Sequence, residues 1–146
     1  MKKFIIALLA CCAFATVHAA DLTWLTDLPK AQAQAKSENK LILMNFTGSD
    51  WCPACIQLDK TVLSQPEFAD YAQKNLVTVL VDFPQGKPQS DDLKAANDAL
   101  SKKYDIEGFP TLILAKPDGS VVWKQVGYDG SGPKVLVDRL SGAKQK

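Results

Sequence analysis

Cys52 and Cys55 stand three positions apart in the run Trp51-Cys52-Pro53-Ala54-Cys55. Two thiols at that spacing can cycle between a dithiol and a disulfide, and the attacking species is the thiolate. The run follows an apolar stretch at 41–46 and opens a helical pattern. Cys52 therefore stands at a helix start, where unpaired backbone N–H groups favour negative charge. Cys52 is the expected nucleophile. Cys55, one turn deeper, is the expected resolving thiol, attacking the mixed disulfide and releasing the product. That step needs a proton acceptor. Asp59, at i+4 from Cys55, is a candidate, set against the plainer reading of a solvated surface carboxylate. A static staple explains the pair less well, because so small a ring removes little chain entropy.

The neighbouring residues bear on the same chemistry. Trp51 would shelter one side of the dithiol and offer a flat apolar contact to a substrate, with packing as a second role. Pro53 fits a first-turn helix position, where its missing N–H is no loss. Asp50 precedes the helix and favours its dipole, although a carboxylate near Cys52 would also raise the thiol pKa.

The rest of the chain must hold this pair at a strand-to-helix junction. Asp27 can cap a helix that carries Pro29 in its first turn and runs to Glu38. Residues 41–46 read as a strand covered on both faces. The helix from Pro53 carries Cys55, Leu58 and Val62 at i, i+3 and i+7, with Ile56 and Leu63 beside them. Ser64-Gln65-Pro66-Glu67 has the spacing of a capping box and predicts a short helix through Phe68 and Tyr71. Strands are predicted at 76–83, 111–115 and 121–126, and helices at 91–104 and 133–140, with fraying from Gly142. Lys116-Pro117-Asp118-Gly119 is a turn. Alternating helices and strands, followed by a hairpin, predict an α/β mixed sheet of four to five strands with helices on both faces.

The chain has 146 residues, enough for one domain with a real core. Residues 1–19 read as a cleaved signal peptide: Lys2 and Lys3, an apolar run at 4–17, then Val17-His18-Ala19. That run is short for a membrane span, so an uncleaved anchor is the weaker reading. Leu8-Leu9-Ala10-Cys11 only loosely resembles a lipoprotein box. A single domain is expected over 20–146, in a periplasmic or secreted location where disulfides persist. Cys11, Cys12 and His18 would leave with the signal. What remains has two cysteines and no histidine, which argues against a four-ligand zinc site and against Cys-His or Ser-His hydrolysis. The 17 basic residues, less Lys2 and Lys3, leave 15 against 16 acidic ones, and so near-neutral a chain has no electrostatic case for nucleic acid.

Two motifs together resemble the thioredoxin-like superfamily: Trp51-Cys52-Pro53-Ala54-Cys55, and Gly108-Phe109-Pro110-Thr111 before a strand. The resemblance runs from about residue 41 to 140 and implies a thioredoxin-like fold. It implies that Pro110 is cis and faces the dithiol, and that the backbone there can pair with an extended peptide. Phe109 and Pro110, with Trp51 and Pro53, are the substrate-binding residues it implies; Tyr128 and Trp123 are better assigned to packing. The run 46–52 resembles exported members, including the C-terminal domain of the membrane thiol:disulfide interchange protein, which carries a carboxylate at the Asp59 place. Three departures from cytosolic thioredoxin stand out: Pro-Ala between the cysteines, a loop before Trp51 about one residue longer, and an insertion-like segment at 84–100. Asn45 occupies the strand place where many thioredoxins bury an acid, and an amide cannot act as a base.

The expectation is an exported thiol:disulfide oxidoreductase acting on disulfide- or dithiol-containing proteins, leaning to reduction, with no dissociable cofactor and no metal. A reductase in an oxidising compartment needs a donor, for which a membrane electron carrier is the candidate. Dithiols of this superfamily span roughly −270 to −120 mV, so an oxidase or isomerase stays open. So do a non-enzymatic peptide-binding module and a carrier of a soft metal such as Cu(I). A monomer is expected, since no coiled-coil element is present.

Overall fold

The computed structural model describes residues 22–145. The expected signal peptide, Cys11, Cys12 and His18 lie outside the described residues. Five strands and five helices follow in order: β1 (Trp24–Leu25), α1 (Leu28–Glu38), β2 (Leu41–Thr47), α2 (Pro53–Leu58), α3 (Pro66–Asn75), β3 (Leu76–Asp82), α4 (Asp91–Lys103), β4 (Thr111–Ala115), β5 (Val121–Val126) and α5 (Pro133–Lys144). The strands form one sheet in the order β1-β3-β2-β4-β5. β1, β3 and β2 run parallel, whereas β4 and β5 run antiparallel to their neighbours. The architecture is the α/β, mixed-sheet thioredoxin-like fold that the two motifs imply.

β2 is central because both of its faces are apolar. Ile42, Met44 and Phe46 point to one cluster, built with Leu28, Ala31 and Ala35 of α1 and with Val77, Val79 and Val81 of β3. Leu43 points to the other, with Leu58, Val62, Phe68, Leu112, Leu136 and Leu140. Side chains alternate along a strand, so each β2 residue commits to one layer. α1 thus covers one face, while α2, α3 and α5 cover the other. Phe46 is fully buried and meets Tyr104 edge-on at 6.2 Å. α1 is capped as predicted: the Asp27 carboxylate accepts the Lys30 N–H at 2.9 Å.

Four local expectations are corrected. α3 starts after Gln65, not after Ser64, and has no side-chain cap; the Gln65 amide turns back to the Lys60 carbonyl instead. α2 does not continue as an α-helix. Asp59–Leu63 widens into a π turn, closed by Ser64 N–H to Asp59 O at 2.9 Å, and both Val62 and Leu63 lie buried there. Ile56 faces solvent at 46% exposure rather than joining the core. α5 runs on to Lys144, because Ala143 is buried against the second cluster.

The turn at 116–119 closes the β4–β5 hairpin. Gly119 donates to Lys116 O at 2.8 Å with φ of 87°, a backbone setting that favours glycine.

Candidate active site

β2 ends at Thr47, and the chain turns through Gly48, Ser49 and Asp50 into the helix that starts at Pro53. The Cys52 N–H donates to Gly48 O at 2.9 Å, which fixes that turn. Cys52 is the N-cap of α2: its backbone is extended, and its sulfur accepts the Cys55 N–H at 3.2 Å. A side chain at that place serves the orphan amides of the first turn, commonly through Ser or Asp oxygen. Here sulfur takes that role, so the same N–H is aimed at Sγ when the sulfur carries charge. Pro53 sits at N1, where no amide is needed.

Cys52 and Cys55 are joined by a disulfide with Cα atoms 5.2 Å apart. Both are buried, at 6% and 3% exposure, and Cys52 is the more open of the two. That order suits Cys52 to meeting a partner and Cys55 to acting from behind it.

The second motif arrives from β4. Phe46 on β2 pairs with Thr111 on β4, which sets Pro110 level with the end of β2 that leads to the dithiol. The Phe109–Pro110 peptide bond is cis. Thr111 Oγ donates to Gly108 O at 2.7 Å and closes the turn; Pro110 O accepts Gly127 N–H at 2.7 Å and ties it to the strand beyond. The N–H and C=O of Phe109 have no hydrogen bond among the described residues.

Trp51 joins the two motifs. Its indole N–H donates to Phe83 O at 2.7 Å. Its ring meets Phe109 edge-on at 6.0 Å, and Phe109 packs on Phe83 at 5.2 Å. Trp51 stays 40% exposed, leaving an apolar face beside the disulfide. Gly48 lies under this indole: a Cβ there would stand within 2.7 Å of Cε2, Nε1 and Cζ2.

Residues 28–134 match the family model described as "Thioredoxin-like domain". The chain belongs to the thioredoxin-like family. Among the relatives of this thioredoxin-like chain is the disulfide bond reductase DsbH of Chlamydia pneumoniae, 32% identical over 127 residues, spanning 87% of this chain and 75% of that protein. A solved structure titled DsbH oxidoreductase superposes with a TM-score of 0.83 at 31% identity, covering 89% of each chain. The oxidised C-terminal domain of DsbD from Neisseria meningitidis has a TM-score of 0.61 at 18% identity, covering 83% of this chain and 99% of that one; it shows the shared fold. With a Cys52–Cys55 disulfide at its heart, this thioredoxin-like chain is a protein thiol:disulfide oxidoreductase, and its partners are proteins that carry disulfides.

The remaining residues singled out from the sequence divide by position. Trp51 and Pro53 flank Cys52 in the chain, Phe109 meets the Trp51 ring and Pro110 follows it, while Tyr128 and Trp123 pack against the second core cluster. Asp59 ends α2 with its side chain exposed, and its carboxylate makes no hydrogen bond or ion pair among the described residues. Asn45 is buried at 5% on the α2 side of the sheet, and its side-chain oxygen has no partner among the described residues. Asp50 turns toward the insertion: its carboxylate accepts Gln85 N–H at 3.0 Å and Gly86 N–H at 2.6 Å. The Gln85 amide foremost, then the Gly86 amide, holds the Asp50 carboxyl below its ordinary value.

Sequence reasoning passed over Gly48, Asp82, Phe83 and Asn97. Asp82 carried one usable signal, an acid closing an apolar strand. Asn97 carried another, a polar residue between Leu93 and Leu100 on a helix. No group of acidic, histidine or cysteine side chains suited to a metal is present among the described residues.

Proposed function

We propose that the protein is an exported reductase of protein disulfides, with Cys52 as nucleophile and Cys55 as resolving thiol. The observation that carries this reading is the Cys55 N–H aimed at Cys52 Sγ, beside a Phe109 backbone left open. The first supports a thiolate on Cys52 in the reduced form. The second supports strand-to-strand pairing with an extended partner chain.

The Cys52 thiolate attacks one sulfur of the partner disulfide, an S–S bond breaks, and the partner thiolate that leaves takes a proton. Cys55 gives up its proton and attacks Cys52 Sγ; the Cys52–Cys55 bond forms and the second partner thiolate departs. Two electrons pass to the partner, and the chain is left with the disulfide seen in the structure. A donor dithiol must reduce it for the next turnover, and a membrane electron carrier fits an exported location. Asp59 is the proposed acceptor of the Cys55 proton, acting through water because its carboxylate is exposed.

The direction is supported by the likeness to a protein named as a disulfide bond reductase. Export rests on residues 1–19. Among the described residues no helix is long and apolar enough to cross a membrane.

Insulin reduction by the reduced protein tests the activity: wild type is expected to precipitate the insulin B chain, and Cys52→Ser is expected to be inert. Equal rates would remove the enzyme reading. Equilibration against glutathione tests the direction. A potential well below the glutathione couple supports reduction, and one well above it overturns it.

A further inference from the structure

The segment after β3 is built onto the dithiol loop by two carboxylates used in opposite directions. Asp82, at the end of β3, accepts the Ser49 N–H at 3.0 Å and the Ser49 hydroxyl at 2.6 Å. Asp50, in the loop, accepts the Gln85 and Gly86 amides at 3.0 and 2.6 Å. Each segment thus offers its acid to the other's N–H groups. The residues that follow these two acids also meet: Trp51 Nε1 donates to Phe83 O at 2.7 Å. Lys87 Nζ stands 3.4 Å from Ser49 Oγ.

This arrangement is anchored from behind. The backbone oxygen of Asp82 accepts Asn97 Nδ2 at 2.8 Å and Gln89 Nε2 at 3.2 Å. Asn97 is 1% exposed and is the one fully buried side chain within α4. Leu93 and Leu100 are only half-buried, Leu100 packing on the first core cluster, and the Asn97 bond is added to that contact. A buried amide with one partnered end holds its place because leaving it would strand a polar group.

We propose that Asp50 and Asp82 form a reciprocal clamp that positions the Trp51 wall of the dithiol for protein substrates, with Asn97 as its pin. The proposal rests on the disulfide-exchange reading given above and names residues through which that site selects its substrates. A protein disulfide must lay its chain across the face that the Trp51 ring and the Phe109 backbone form together before sulfur meets sulfur. A small disulfide needs only Cys52 Sγ. The clamp therefore governs the first reaction and leaves the second alone.

The test compares rate constants of the reduced full chain toward insulin and toward a small aromatic disulfide, dithiobis(nitrobenzoate). Removing the Asp50 charge alters the Cys52 thiol for both substrates equally, so the ratio of the two constants isolates seating from reactivity. In Asp50→Ala both exposed amide bonds are lost and water takes up most of each, so the insulin constant is expected to fall roughly fivefold, with the small-disulfide constant within about twofold. Asp50→Asn keeps one acceptor oxygen and is expected to fall between. Asp82→Asn supplies an independent arm, and circular dichroism of each variant reports whether it folds. An unchanged ratio in a folded Asp50→Ala with an active wild type overturns the clamp and leaves the exchange activity standing. A parallel fall of both constants also overturns it. A wild type inert toward insulin overturns both readings.

Discussion

A methyl group added at residue 48 tests how the dithiol loop is packed. In Gly48→Ala the new Cβ would stand within 2.7 Å of three indole atoms of Trp51, a separation that no packed pair tolerates. Trp51 is 40% exposed, so the indole yields toward solvent before the backbone does. Yielding breaks the 2.7 Å bond to Phe83 O and the edge contact on Phe109. The freed N–H reaches water, so the loss is about 1 kcal/mol for the hydrogen bond and about 1 kcal/mol for the aromatic pair. Against this, Gly→Ala restricts the unfolded chain and contributes about 0.5 kcal/mol of stability. The clash wins, and Gly48→Ala should destabilise by about 1.5 kcal/mol, lowering Tm by roughly 6 °C. In a Trp51→Ala background the space is open and only the entropic gain remains. Urea unfolding of the wild type, both single variants and the double variant gives the coupling, expected near about 2 kcal/mol. The reasoning fails if Gly48→Ala costs the same with and without the indole.

Other outcomes follow from the same geometry. Phe46→Ala opens a cavity in one core layer and should cost about 3–5 kcal/mol in denaturant unfolding. Asp50 has a folded pKa below its unfolded one, so the stability it contributes is present above the unfolded value and is lost as pH falls through the folded value. The stability gap between wild type and Asp50→Asn should accordingly close as pH falls from the ordinary aspartate value of about 4 through the lower folded value. Asn45→Asp buries a carboxyl and raises its pKa, so here stability is lost as pH rises; a shift of about two units makes the variant about 3 kcal/mol weaker at about pH 8 while near wild type at about pH 4. If Asp59 accepts the Cys55 proton, Asp59→Asn should slow the resolving step, and mixed disulfides with insulin should accumulate on non-reducing gels; no accumulation assigns Asp59 to the surface.

Much of the site was legible because its signals are local. Cys52 and Pro53 mark a helix start within three residues, and the period of the helices and strands is written in their apolar spacing. β2 read as central from its nearly continuous apolar run, interrupted only by Asn45, and the structure buries it on both faces. β1 was not legible, since two residues carry no period; Trp24 and Leu25 are a strand only because Thr78 and Val79 pair with them. The π turn at Asp59–Leu63 escaped for a related reason. Cys55, Leu58, Val62 and Leu63 keep the i, i+3, i+7 and i+8 spacing of a plain α-helix, so the widening leaves no mark in the apolar pattern.

The amino-acid order alone determined the reactive pair, the helix that carries it and the layers on either side of the sheet, because each depends on contacts between near neighbours or on a simple period. Only the tertiary structure decided what stands around that pair. Ser49 meets Asp82 across 33 positions, and Asp50 meets Gly86 across 36. No local pattern encodes such meetings. They exist because β2 and β3 lie side by side in register, Thr47 against Asp82, and so bring the loops at their ends within reach of one another.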